Sequence, residues 1–239
     1  MALGAPRERY LTDVSLENYV KGIYHLGVKA RLAGIASRVK TKELADHLDV
    51  SLPSVTGMLR SLAEDGLVDY QPYKGVKLTD EGRRVALRVV RNHRLIESFL
   101  VHTLGFTWDE VHEEAEVLEH ALSPKLAAAI ERYLGYPKFD PHGDPIPTAE
   151  GVVEPVAGSL LLDAPPGTPM RVTRIHDQAA EFLRYLESLG LLIGATVEVV
   201  EALPFEGPLR LRCGGREATL SRPQVSRIEV QAIGTGDES

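Results

Sequence analysis

Residues 42–82, KELADHLDVSLPSVTGMLRSLAEDGLVDYQPYKGVKLTDEG, hold the pattern that decides the fold. Thr41 is placed to cap a short helix whose Leu44, Ala45 and Leu48 share a face. Asp49, Val50 and Ser51 make a tight connection. Ser51 caps a second, longer helix, and Pro53 sits in its first turn, where a missing N–H costs little. Val55, Met58, Leu59 and Leu62 form its apolar stripe, and Gly66 ends it. Leu67, Val68 and Tyr70 predict a strand, QPYKG a turn, and VKLT a returning strand. Two helices in tight succession followed by a two-stranded ribbon predict a winged helix-turn-helix.

The second helix of such a unit enters a major groove, so its solvent face needs short side chains. Ser51, Pro53, Ser54, Thr56 and Gly57 are small, and Arg60 adds a cation. Hydroxyls bond bases or phosphates, and Pro53 suits a thymine methyl. Thr41 joins this DNA-binding set at the start of the first helix. Lys74 and Lys77 lie on the wing, where cations meet phosphates. Residues 1–92 carry 15 Lys/Arg against 11 Asp/Glu, residues 93–139 carry 4 against 8, and the remainder 8 against 15. Only the first third of a chain of net charge −7 is therefore basic. A helical hairpin that merely packs is the alternative, and the local positive charge favours a polyanion partner.

Before this unit, Leu16, Tyr19, Val20, Ile23, Tyr24 and Leu26 recur at helical spacing, with Gly27 and Gly34 expected to break the pattern. After it, Thr79 caps a long helix through Leu104. A further helix is expected over 108–122 and another over 124–135. The stretch YPKFDPHGDPIPTAEG (136–151) is rich in Pro and Gly and reads as a domain junction. Residues 152–165 read as a tether. Beyond Met170, MRVTRI, TVEVVEAL, PLRLRCG, REATLS and VSRIEVQA are short strands around one short helix, a pattern that predicts a small β-barrel. The last residues, GTGDES, are expected to fray. The expected domains are 1–82, 83–151 and 152–239. The class is mainly α with a small β domain.

The most informative chemistry lies between residues 93 and 120. His93 and Glu97 are four apart and share a helix face. His112, Glu116 and His120 keep the same spacing on the next expected helix, with Glu119 beside them. Facing helices would gather imidazoles and carboxylates around one or two cations. Glu-rich helices are often only solvated, but six ligand-type residues hold helical spacing across two neighbouring helices. The residues three before His93 and His120 are Val90 and Val117, so the Glu-x-x-His pairs of di-metal carboxylate bundles are absent. HEEAE lacks the second His of a zincin. No nucleophile constellation or phosphate loop is present, so the chain is not read as an enzyme and no small organic substrate is expected.

Composition agrees with a folded protein. At roughly 100–200 residues per domain, 239 residues make about one to three modules. No apolar run approaches a membrane span, and the N-terminus has no signal-peptide architecture. The single cysteine, Cys213, excludes an intrachain disulfide and a thiolate cage. A cytoplasmic location is expected.

With both parts in place, the chain resembles the diphtheria toxin repressor family of metal-dependent transcriptional regulators. The motifs are LENYVKGIYHL (16–26), residues 42–82, RNHRLIESFLVHTLGFTWDEVHEEAEVLEHALS (91–123) and HGDPIP (142–147). The resemblance covers nearly the whole chain and implies three parts: a winged helix-turn-helix, a helical metal-binding and dimerisation domain, and a C-terminal SH3-like β-barrel like the ferrous-iron-transport accessory domain.

The resemblance further implies a primary site of Glu116, Glu119 and His120 with a ligand from the first helix at Asn18, where the family usually has Met or Asp. It implies an ancillary site of His93, Glu97 and His112, completed from the barrel by Asp177 or Gln178. The iron-responsive branch has Cys where this chain has Glu116. The harder carboxylate suits Mn²⁺, with Fe²⁺, Co²⁺, Zn²⁺ or Cd²⁺ able to substitute in vitro. Short manganese regulators carry a carboxylate where this chain has Lys21, so two separated mononuclear sites fit better than a close pair. The implied function is a Mn²⁺-activated repressor of metal-uptake genes, binding a palindromic operator as a homodimer. An Fe²⁺-responsive regulator of the same fold is one alternative. A metal-handling accessory protein that binds no DNA is the other.

Overall fold

A computed structural model describes residues 6–32, 34 and 38–233. The GTGDES tail lies outside the described residues. The chain forms two compact units. One comprises residues up to 92 with 119–122 and 147–152; the other comprises 93–118, 123–146 and 153 onward.

The first unit opens with helix α1 (Pro6–Leu32). It runs through Gly27 instead of breaking there, because one helical glycine costs only about 1 kcal/mol. Gly22 lets α1 approach Leu44, His47 and Leu48 closely. Helix α2 (Thr41–Leu48) begins one residue earlier than the capping reading placed it. Lys40 is the cap residue, and its N–H donates to the Glu43 carboxylate at 3.1 Å. Helix α3 (Leu52–Glu64) starts as expected, with the Ser51 hydroxyl accepting from the Ser54 N–H at 3.3 Å. Gly66 follows at φ 73°. Strands β1 (Val68–Gln71) and β2 (Gly75–Leu78) make the antiparallel wing. Val39 pairs with Val76 and extends it. Thr79 then caps α4 (Asp80–Phe99), its hydroxyl accepting from the Gly82 N–H at 3.1 Å. Leu44, Val55, Leu59, Leu62 and Val76 have 0% exposure and close the core of this unit. Burying each stabilises by roughly 1.5–3 kcal/mol.

In the second unit, the expected helix to Leu104 ends as α helix at Phe99. Leu100–Leu104 forms a wider π turn, closed by Gly105 at φ 74°. Helix α5 spans only Val111–Leu118. Its start is set by Thr107, whose N–H and hydroxyl both donate to the Glu110 carboxylate. Its early end removes Glu119 and His120 from the helix. Helix α6 (Pro124–Tyr133) is capped by Ser123.

The expected tether contains structure. Strand β3 (Ser159–Leu160) and a 3-10 turn (Leu161–Asp163) lie within it, and Leu161 is fully buried. Strands β4 (Pro169–Ile175), β5 (Thr196–Ala202), β6 (Leu209–Cys213), β7 (Arg216–Leu220) and β8 (Ile228–Ala232) complete an antiparallel sheet in the order β3-β8-β4-β5-β6-β7. Helices α7 (Ala180–Ser188) and α8 (Arg222–Val225) close this SH3-like domain. In β6, Leu209, Leu211 and Cys213 alternate inward with outward arginines, as a half-buried strand requires. The core includes Trp108 from the segment before α5.

Candidate metal centre

Within the second unit, α4 presents His93 and Glu97 one turn apart, and α5 presents His112 and Glu116 in the same way. His93 Nε2 lies 3.0 Å from Glu97 Oε1 and 3.2 Å from His112 Nδ1. Glu116 Oε1 lies 3.7 Å from His112 Nε2 and 4.0 Å from His93 Nδ1. Four of the six residues predicted from helical spacing therefore meet.

The stretch read as a junction brings two more. Phe139 bridges to Pro145, folding residues 140–144 into a tight loop. Asp140 Oδ1 accepts from the N–H groups of His142 and Asp144 at 2.8 and 2.9 Å. Among the described residues, two groups close to ligand spacing: His93, His112 and Glu116, and Glu97, Asp140 and His142. Asp140 and His142 were missed because their segment looked irregular. The signal was present in DPHG (140–143), which sets a carboxylate and a histidine beside a glycine turn.

The second group has unused ligand atoms. Glu97 Oε2, Asp140 Oδ2 and His142 Nδ1 are buried without a hydrogen-bond partner. His142 Nε2 is 2.7 Å from the Trp108 carbonyl, so Nε2 carries hydrogen and donates. In the neutral ring this leaves the Nδ1 lone pair toward Glu97 Oε2, 3.7 Å away. A backbone carbonyl that fixes the tautomer of a ligand histidine is a recurrent feature of metal sites. Burial would raise the Glu97 carboxyl, but the imidazoles of His112, His142 and His93 outweigh it and hold the carboxyl well below its ordinary range. Burial opposes charge on His142, yet Glu97 and Asp140 push its pKa up to about 9. Burial and the nearby Asp144 and Glu97 push Asp140 up to about 7. Imidazole nitrogens and carboxylate oxygens without sulfur suit a divalent Mn²⁺, Fe²⁺ or Zn²⁺ ion.

The barrel residues expected to complete a site are engaged elsewhere. Asp177 pairs with Arg227, and its Oδ1 accepts from the Ala179 N–H. Gln178 donates to Asp144 Oδ2 at 3.0 Å. Asp144 also pairs with Arg174 and lies 3.4 Å from Arg94.

The first unit holds Glu119 and His120. Asn92 donates to the Glu119 carbonyl at 3.0 Å and fixes the turn. His120 Nδ1 lies 2.6 Å from Glu17 Oε2, a partner the sequence reading missed one residue before Asn18. Burial would raise the Glu17 carboxyl, but His120 and Arg88 together lower it. Lys21 Nζ lies 2.9 and 2.7 Å from the two Glu119 oxygens. His120 Nε2 and Asn18 Oδ1 are buried without a hydrogen-bond partner. His120 Nε2 lies 3.4 Å from Glu119 Oε1, and neither residue belongs to the two groups at ligand spacing among the described residues.

The nucleic-acid candidates lie at the start of α3 and on the wing. Ser51, Pro53, Ser54 and Arg60 are exposed, while Thr41 and Thr56 are partly buried. The Ser51 and Ser54 hydroxyls share a hydrogen bond, and that of Thr56 donates to the Leu52 carbonyl. Lys74 and Lys77 are exposed. Lys77 lies 3.7 Å from Asp69, which also pairs with Arg38.

Comparison with known proteins matches the same segments. Residues 11–76 match the iron dependent repressor N-terminal DNA binding domain, 79–148 the iron dependent repressor metal binding and dimerisation domain, and 160–232 the FeoA domain. The chain is 31% identical to the iron-dependent repressor IdeR of Mycobacterium tuberculosis (strain CDC 1551 / Oshkosh), covering 91% of this chain and 96% of that one. It is 28% identical to the diphtheria toxin repressor of Corynebacterium diphtheriae, over the same shares. Among solved structures, a manganese-dependent transcriptional repressor in complex with manganese superposes at TM-score 0.79 with 40% identity, covering 91% of this chain and all of that one. Zn²⁺-bound ScaR superposes at 0.76 with 35% identity, over 91% and 99%. The three models follow one another along nearly the whole chain, over the winged helix, the His/carboxylate cluster and the SH3-like domain, and the chain belongs to the iron-dependent repressor, or diphtheria toxin repressor, family.

Proposed function

We propose that the protein is a metal-dependent, DNA-binding transcriptional repressor in the cytoplasm, with Mn²⁺ as its effector and metal-uptake genes as its targets. The observation that carries this reading is the cluster of His93, Glu97, His112, Glu116, Asp140 and His142, with three buried ligand atoms that make no hydrogen bond. Its donors are nitrogen and oxygen only, and the chain's one thiol, Cys213, is buried in the barrel core. The names of the relatives support repression.

When bound, the ion supplies positive charge among carboxylates that otherwise repel. The rest follows from the chain's residues. The Trp108 carbonyl orients His142, and Asp140 braces the loop. Glu119 and His120 hold the 119–122 turn to α1 through Lys21 and Glu17. Ser51, Pro53, Ser54 and Arg60 face solvent at the start of α3 and are the residues proposed to meet an operator. Leu104, Val117, Leu118, Leu126 and Tyr133 are exposed apolar side chains, and we assign them to the two-fold dimer that a palindromic operator requires. Linkage makes DNA and metal raise each other's affinity equally, typically by ~1–3 kcal/mol.

Capture of genomic fragments by the purified chain tests this, with Mn²⁺, with Fe²⁺, without metal, and with His142→Ala and His120→Ala as controls. A few palindromic sites enriched only with metal, and lost in a variant, are expected. Enrichment that ignores metal would make the cluster structural. No enrichment under any condition would move the protein to metal handling without DNA. Fe²⁺ is the second reading, favoured by the iron-dependent names of the curated relatives, and stronger activation by Fe²⁺ than by Mn²⁺ would establish it.

A further inference from the structure

Glu17, Asn18 and Lys21 lie within one turn of α1, at spacings that place them on one face. Three features mark the place where the 119–120 turn meets α1. The first is Glu119, 1% exposed, whose two oxygens both lie within hydrogen-bond distance of Lys21 Nζ. The second is His120, whose Nδ1 is taken by Glu17, which leaves Nε2 as a lone pair in the neutral ring. That nitrogen is buried, lacks a hydrogen-bond partner and lies 3.4 Å from Glu119 Oε1. The third is the buried Asn18 Oδ1, also without a partner.

An ammonium on Glu119 supplies one positive charge and satisfies the carboxylate. It leaves the imidazole nitrogen and the amide oxygen unused. A divalent cation could engage the imidazole nitrogen and the Glu119 carboxylate together, since Nε2 lies 3.4 Å from Oε1. We propose that Lys21 is a resident cation of the Glu119–His120 site, one that a divalent ion must displace from the Glu119 carboxylate, so that Lys21 sets the concentration at which this site fills. This rests on the metalloregulator reading above. Glu97, in the other unit, is faced by three imidazoles with no lysine among its named partners. The protein then has two classes of site. In one, the cation at hand is Arg94, 3.6 Å from Asp140 Oδ2; in the other, the ion must displace an ammonium within hydrogen-bond distance of both Glu119 oxygens.

The test is Mn²⁺ titration of the full chain, with free Mn²⁺ read by electron paramagnetic resonance. Wild type is compared with Lys21→Met, Lys21→Arg, Glu119→Gln and the Lys21→Met/Glu119→Gln pair. Wild type should show a tighter and a weaker class. Lys21→Met should tighten the weaker class by at least about tenfold, leave the tighter class unchanged, and lose its effect when Glu119→Gln is added. Lys21→Arg keeps a cation that pairs bidentately with carboxylates, so it should bind no more tightly than wild type. Melting without metal gives an independent readout: Lys21→Met should lower the apo Tm and gain more than wild type from added Mn²⁺. An unchanged or weakened second class in Lys21→Met overturns the inference, as does tightening in Lys21→Arg. If Lys21→Met fails to fold, the arginine arm decides. No Mn²⁺ binding by wild type would instead overturn the metalloregulator reading.

Discussion

Glu119 and Lys21 form a buried ion pair whose side chains are 0% and 9% exposed. Removing one member of such a pair leaves the other poorly compensated and costs roughly 3–5 kcal/mol, whereas replacing both by apolar groups of similar volume is often neutral. Glu119→Ala should therefore destabilise the metal-free chain by about that amount in urea unfolding. Lys21→Met with Glu119→Leu should recover most of it. Failure to recover would mean that the pair stabilises through more than charge. His120→Ala removes a proposed ligand nitrogen and leaves Glu17 with Arg88, so it is the cleaner probe of metal response. At this scale the sequence showed the ligand-type residues but not their grouping. His112, Glu116 and His120 keep helical spacing, yet α5 stops at Leu118. Helix-forming residues such as Glu119 do not reveal that Asn92, distant in sequence, takes the carbonyl that ends the run. Glu17 and Lys21 were legible as charges and illegible as partners, because pairing across about a hundred positions leaves no local periodicity.

The 140–146 loop shows the same limit for an element. Four prolines and two glycines in 136–151 argue correctly against a regular helix or strand. They say nothing about whether the irregular segment is built into a site. Gly143 decides that here. It sits at φ 85°, and a Cβ there would overlap the Thr173 carbonyl oxygen of β4. The neighbouring His142 carbonyl accepts from the Ile175 N–H at 2.9 Å. Gly143→Ala should lower Tm well beyond the ~1 kcal/mol of left-handed strain and weaken Mn²⁺ binding by displacing His142. Gly105→Ala, also left-handed at φ 74° but in open space, should show the strain alone. Equal effects would remove the loop from the site's support.

On the adjoining strand β8, Glu229 carries a pH signature. The His176 hydrogen bond lowers its carboxyl; burial opposes this, Arg174 assists and Asp144 counteracts. A depressed folded-state pKa adds stability that is present above the unfolded value and lost as pH falls through the folded one. The Tm advantage of wild type over Glu229→Gln should hold at neutral pH and shrink below the ordinary carboxylate range. An advantage that persists in acid would refute the pairing.

For the molecule as a whole, the winged helix and the strand-rich C-terminus were legible because their punctuation is local: Ser51, Gly66 and Thr79 cap or close helices, and β6 alternates strictly. The membership of the two compact units was not legible, since residues 119–122 and 147–152 belong with the first 92. One consequence concerns the barrel. The bounds read from the sequence set residues 152–239 apart as a separate domain. Yet Trp108, 9% exposed, belongs to the barrel's own core with Leu161, Leu183 and Ile228, and its carbonyl orients His142. Cutting there strips the indole of its surroundings and the cluster of a brace. Trp108 is the chain's single tryptophan, so its emission reports this without a label. The full chain should emit as a buried indole. A chain ending at 152 should emit to the red, melt lower and lose the tight Mn²⁺ class, while α3 and the wing, built on the separate core of Leu44, Leu59 and Val76, keep a salt-sensitive, metal-independent affinity for DNA. Unchanged emission and an intact tight class in the truncated chain would show that the helical part stands without the barrel.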